Sequence, residues 1–218
     1  MSEGFYKPKR GTDYWTVSGG NIVKRVDEGT PGAISRALEK GDNKGKLVWE
    51  IHEEAYEGKI RSVYVDKSDN PQYDDKLCIR FGKATVQMPV TSQHALSVIC
   101  KLRNINLEEP ILFEPYKMAK QGKPGKYNVG VVIRQNGEKV KNHLDPSKDG
   151  DLPELEQKKR AGKIEWDSTA RDNFLYEHLV EWIAEQQFPD PKHIKDDEHE
   201  ADPDTETEEE EDDAIPPF

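Results

Sequence analysis

KLCIRFGKATVQMPVTSQHALSVICKL, residues 76–102, is the stretch whose reading decides the fold class. Leu77, Ile79 and Phe81 alternate with Lys76, Cys78 and Arg80, the two-residue period of a strand with one face inward. Gly82-Lys83 breaks the run, and Ala84–Met88 resumes it, as a second strand or as the far half of one bent strand. The period then changes. Thr91 or Ser92 offers an N-cap, and Ala95, Leu96, Val98, Ile99, Leu102 and Ile105 recur at helical spacing. Strand material running into a capped amphipathic helix predicts a mainly β, α+β chain.

Upstream, Leu47, Trp49 and Ile51 alternate with Val48, Glu50 and His52, and Ile60–Val65 is β-branched beyond the turn at Glu57-Gly58. Asp66–Asp75 reads as a polar loop. Downstream, Ile111–Met118 and Tyr127–Gln135 read as strands around the basic glycine loop Lys120–Lys126 (KQGKPGK). Asn136-Gly137 is a strong hairpin signal leading into Glu138–Leu144. The order is strand, strand, strand, helix, strand, strand. That is the order of an OB-fold, a five-stranded Greek-key barrel with one inter-strand helix, although other α+β meanders satisfy the same periodicity.

The flanks add to this body. Residues 1–13 read as a basic arm with Lys7, Lys9 and Arg10 beside Phe5 and Tyr6, or as a frayed end. Tyr14–Val26 suggests extra N-terminal strands around Gly19-Gly20, as a hairpin or a strand with a bulge. Ala33–Leu38 allows one helical turn. Lys148–Glu165 reads as a polar connector, and residues 169–187 as a C-terminal helix capped by Ser168 or Thr169. Phe174, Leu175, Leu179, Trp182 and Ile183 form its apolar stripe, for packing on the body or for self-association. The domain is placed at 14–188, and 189–218 is an acidic tail.

The tail controls the charge balance. It holds 14 Asp+Glu and 2 Lys, which leaves residues 1–188 with 30 Lys+Arg against 29 Asp+Glu of the chain's 32 and 43. The acidity of the whole is therefore no argument against a body that binds polyanions. Cys78 and Cys100 each sit in an apolar run and read as buried thiols, and two cysteines are too few for a zinc knuckle. The first residues lack an apolar signal core and no run approaches 18 apolar residues, so a cytoplasmic protein without a membrane span is expected.

The chain closes on EEEEDDAIPPF, residues 208–218. Ile215, Pro216, Pro217 and Phe218 adjoin a segment too charged to supply a core. Two prolines lower the ordering cost of docking, and Phe218 joins a ring to a terminal carboxylate. The end resembles the tails of bacterial single-stranded DNA-binding proteins and their bacteriophage counterparts, which finish on an acidic segment and Asp-Asp-Asp-Ile-Pro-Phe. Here Asp212 and Asp213 are followed by Ala214 in place of the third acid, and an extra proline precedes the Phe. The likeness spans some ten residues. It implies an OB-fold, binding of single-stranded DNA in replication, recombination or repair, and a tip at Asp212, Asp213, Ile215, Pro216, Pro217 and Phe218 that recruits partner proteins.

A groove for single strands needs cations for phosphates and rings for bases. The residues that fit are Lys59, Arg61 and Tyr64, then Tyr73, Lys76 and Arg80, then Tyr116, Lys117, Lys123, Lys126 and Arg134. Strand parity turns Lys76, Cys78 and Arg80 outward if Leu77, Ile79 and Phe81 point in, and likewise turns Arg134 outward. Six scattered histidines show no metal-ligand spacing, and there is no phosphate loop or nucleophile motif, so neither catalysis nor a cofactor is expected. Two rivals remain: an acidic-tailed scaffold or nucleic-acid mimic acting on a basic protein, and a nuclease using Asp66, Asp69, Asp74 and Asp75.

Overall fold

A computed structural model describes residues 13–39, 43–70, 72–146, 148, 150–160 and 163–189. The arm, apart from Asp13, and the acidic tail beyond Pro189 with its tip lie outside the described residues.

Among the described residues thirteen strands and two α-helices follow one another: β1 (Asp13–Ser18), β2 (Asn21–Val26), β3 (Ile34–Ala37), β4 (Leu47–Glu53), β5 (Tyr56–Lys59), β6 (Ser62–Asp66), β7 (Lys76–Phe81), β8 (Ala84–Pro89), α1 (Gln93–Ile99), β9 (Pro110–Ala119), β10 (Tyr127–Gln135), β11 (Glu138–Lys139), β12 (Glu156–Arg160), β13 (Lys163–Asp167) and α2 (Thr169–Gln186). The chain is mainly β. A seven-stranded sheet runs β3-β4-β2-β1-β8-β7-β6, a four-stranded sheet runs β11-β10-β9-β5, and β12-β13 form a ribbon of their own. All pairs are antiparallel except β1 with β8, where Tyr14 pairs with Thr85 and Thr16 with Gln87.

The segment Tyr56–Asp66 ties the two sheets together. Its first half, β5, pairs with β9, and after the bend at Ile60-Arg61 its second half, β6, pairs with β7. A strand that bends and changes sheets makes a corner between two layers. Between those layers Val63, Leu77, Ile79, Val86 and Met88 meet Ile111, Phe113, Val131 and Ile133, all at 1% exposure or less. Helix α1 closes one end. Ser92 caps it by accepting from the Ala95 N–H at 3.1 Å, and the Ser97 hydroxyl donates to the Val131 carbonyl and accepts from the Val131 N–H. Helix α2 adds Leu175, Leu179 and Trp182 to the same core.

Two glycines have specific work. At Asn136-Gly137 both φ angles are positive, 53° and 79°, as a tight hairpin with a right-handed twist demands. Gly20, in the β1–β2 turn, comes so near β9 that a Cβ would stand 2.8 Å from the Lys117 backbone nitrogen.

Three expectations are corrected. Residues 34–37 form β3, not a helical turn, because the antiparallel pairing Ile34–Glu50 to Ala37–Leu47 outweighs a weak local preference. The connector 148–165 contains most of the β12–β13 ribbon, with Lys159 opposite Ile164 and Gln157 opposite Trp166. On β4, Leu47 is exposed and Trp49 and Ile51 are half-buried, whereas Glu50, on the other face, is 2% exposed.

Candidate nucleic-acid interface

The register of the large sheet assembles a face that no single strand announces. Paired residues share a face, so Tyr64, Cys78, Gln87, Thr16, Val23 and His52 form one transverse row. Ser62, Arg80, Thr85 and Tyr14 form the next. The Gln87 side-chain amide donates to the Thr16 hydroxyl at 3.2 Å, which fixes the middle of the first row. Parity holds as expected for Lys76, Cys78 and Arg80: all three point away from the core between the sheets.

Being outward does not leave Cys78 and Arg80 open. Cys78, Arg80, Thr85 and Ser62 are 1%, 6%, 0% and 1% exposed. The Tyr64 hydroxyl interacts with both Cys78 and Tyr14, which links the two tyrosines on this face. Burial raises the Tyr64 phenol strongly above its ordinary value and pushes the Cys78 thiol up to about 12, so both are neutral at pH 7. Arg80 donates through Nε to the Gly82 carbonyl at 3.0 Å. The Ser62 and Thr85 hydroxyls are buried there without a hydrogen-bond partner among the described residues. The two rows therefore combine small buried polar groups with two tyrosines, of which Tyr14 is 41% exposed.

Cations stand at its margins. Lys76 is exposed at one end, opposite Asp66. At the other, Arg36 grips the buried Glu50 with two bonds of 2.9 and 2.7 Å, Arg25 reaches it at 4.0 Å and His52 at 3.3 Å. The Arg36 hydrogen bonds hold the Glu50 carboxyl below the usual carboxylate range against the opposing effect of burial. Arg25 keeps 67% of its side-chain surface exposed.

The remaining residues expected from the sequence fall into separate places. Lys117 and Tyr116 are neighbours on opposite faces of β9. Lys117 Nζ sits 4.3 Å from the centre of the Tyr127 ring, beside the exposed loop holding Lys123 and Lys126. That cation–aromatic pair fits stacking and phosphate contact alike. Tyr116 instead lies across Gly130, its hydroxyl and ring 2.7–3.1 Å from where a Cβ would be, and is half-buried. Arg134 shares that face and bonds Glu114 at 2.7 Å. Lys59 pairs with Glu108 at 2.7 Å, and Arg61 is exposed at the bend between β5 and β6. Tyr73, 69% exposed, projects from the loop after β6.

That loop's acids serve the fold. Asp75 accepts from the Ser68 N–H and the Tyr176 hydroxyl, and Asp74 from the Thr91 hydroxyl. Among the described residues no three His, Cys, Asp or Glu side chains gather as a metal site requires, and no helix is long and apolar enough to cross a membrane.

Sequence reasoning missed Tyr14, Arg25 and Tyr127. Tyr127 was legible, immediately after a cation-rich loop. Tyr14 and Arg25 were not, because the parallel pairing of β1 with β8 joins segments some 70 residues apart. No family model matches the chain, and neither a curated protein nor a solved structure does.

Proposed function

We propose that this chain is a non-catalytic single-stranded DNA-binding protein whose body is an enlarged OB-fold acting in the cytoplasm. In this reading the bent β5–β6 strand, β7, β8, β9 and β10 correspond to the five barrel strands, with α1 between the third and fourth, and β1–β4 extend the sheet on one side. The observation that carries the reading is the face of β6, β7, β8 and β1. Tyr14 and Tyr64 share that face with small polar groups, with Lys76 and Arg25 at its margins. Such a surface suits bases stacked on rings and phosphates held by cations, without sequence readout.

The tail supports the same reading. Asp212, Asp213, Ile215, Pro216, Pro217 and Phe218 would recruit replication, recombination or repair proteins to the coated strand, as the resemblance of the tip suggests. Deleting Ile215–Phe218 then spares strand binding and removes recruitment.

The deciding experiment is a titration with oligo(dT), poly(U) and duplex DNA at several salt concentrations. Oligo(dT) should bind with an affinity that falls as salt rises, because cations released from the phosphates drive association. Tyr14→Ala should weaken it about tenfold, within the 1–3 kcal/mol assigned to one stacked base. Absence of oligo(dT) binding at low salt, with residues 189–218 present or removed, sinks the proposal. A tail-dependent interaction with a basic protein, and none with DNA, would favour the scaffold or mimic.

A further inference from the structure

The β12–β13 ribbon belongs to neither large sheet, yet it is held at both ends. Leu152, just before it, is buried in the core, and the Pro153 carbonyl accepts from Arg171 Nε of α2 at 3.0 Å. At the other end Asp167 accepts from the Thr169 N–H at 2.9 Å, which caps α2, and also takes the Lys158 ammonium. These bonds hold the Asp167 carboxyl well below the ordinary carboxylate range, with the Lys158 contact the largest cause. A two-stranded ribbon is marginal by itself. This one stands because its base is pinned to a helix anchored by Leu175, Leu179 and Trp182.

The exposed surface of the ribbon has a definite character. Gln157, Lys159, Ile164 and Trp166 share one face by register. Ile164 and Trp166 are 63% and 61% exposed. The sequence KKRAGK, residues 158–163, carries four cations and no acid, of which Lys158 is paired with Asp167. An indole and a branched chain presented beside Lys159 suit a partner with two properties: flat apolar faces and negative charge. Single-stranded nucleic acid has both.

We propose that the ribbon is a second contact for single-stranded nucleic acid, apart from the sheet face, in which Trp166 stacks on a base, Ile164 flanks it and Lys159 pairs with a neighbouring phosphate. The inference rests on the function proposed above. Five residues per strand at about 3.3 Å each let the ribbon reach about 16 Å, enough to hold several nucleotides beyond those on the sheet.

The test uses the full chain and fluorescently labelled oligo(dT) of graded length, read by anisotropy and by tryptophan emission. Trp166→Ala should weaken binding about tenfold or more to long oligonucleotides and less to the shortest that bind. Lys159→Glu should lower the salt dependence by about one phosphate contact or more. Trp166→Phe should keep most of the affinity and lose part of the emission quenching, since three other tryptophans remain and Trp182 is buried. Both sites are on the surface, and an unchanged melting temperature verifies folding. If wild-type protein binds oligo(dT) and Trp166→Ala binds every length equally well, the ribbon contact is overturned while the function stands. If wild-type protein does not bind, the function itself fails. If Trp166→Ala leaves DNA binding intact but dissociates an oligomer in sedimentation, the ribbon joins copies of this chain and the inference is also overturned.

Discussion

Glu50 shows how a single position turns from a strand residue into a determinant of local structure. It is buried at 2%, and Arg36, Arg25 and His52 converge on it from three strands. Removing the carboxylate strands none of these cations in the interior, because Arg36 and Arg25 keep 45% and 67% of their side-chain surface exposed. The loss is therefore that of a bidentate charge-assisted pair. Glu50→Ala should cost about 2 kcal/mol, measured as a lower denaturant midpoint at unchanged slope. The sequence shows Glu50 as the polar member of an alternating strand, and alternation cannot tell which face is covered when the sheet extends past its core. Arg80 teaches the same lesson. Its outward parity was legible, while its burial was not, since it stands in a row with Ser62, Thr85 and Tyr14 from three other strands.

Elements followed local chemistry closely where that chemistry was strong. Ser92 caps α1 and Asn136-Gly137 turns β10 into β11, because a side-chain oxygen near free N–H groups and a pair of left-handed residues act within a few bonds. For α2 the cap shifts: Ser168 holds the N-cap position, yet Asp167 accepts the Thr169 N–H and the Ser168 hydroxyl donates to Asp172. Its other end carries a cost. Gln187 ends the helix with φ 52° and ψ 39°, a conformation that a residue with a Cβ adopts reluctantly. Gln187→Gly should raise stability by about 0.5 kcal/mol, read from thermal or denaturant unfolding, and an unchanged or lower value would refute the strain. Strand β3 was not legible, since its four residues are all exposed and gain their structure from β4.

For the whole molecule, stability should depend on pH through two histidines. Burial depresses the proton affinity of His94, whose Nε2 is buried without a partner among the described residues, and burial, Arg103 and His143 depress that of His178. Both then bind protons more readily in the unfolded chain, whose ordinary value lies near 6.5. Their stabilising contribution is complete above that pH and falls away below it, as protons favour the unfolded state. The denaturant midpoint should drop between pH 7 and pH 5, and His94→Leu should flatten part of that drop. Equal pH dependence in the variant would show that His94 takes no part.

The sequence alone determined what acts over short distances: the mainly β class, the helix after β8, the tight turns, the two amphipathic faces and a charge balance in which the acidity belongs to the tail. Only the tertiary structure decided the parallel joining of β1 to β8, the bend that lets β5 and β6 serve two sheets, and the pinned ribbon with its exposed indole. The physical reason is range. Periodicity and capping are set within a turn or a strand, whereas register between strands far apart in sequence comes from burying one shared core, and that register chose which tyrosines and cations meet on a common face.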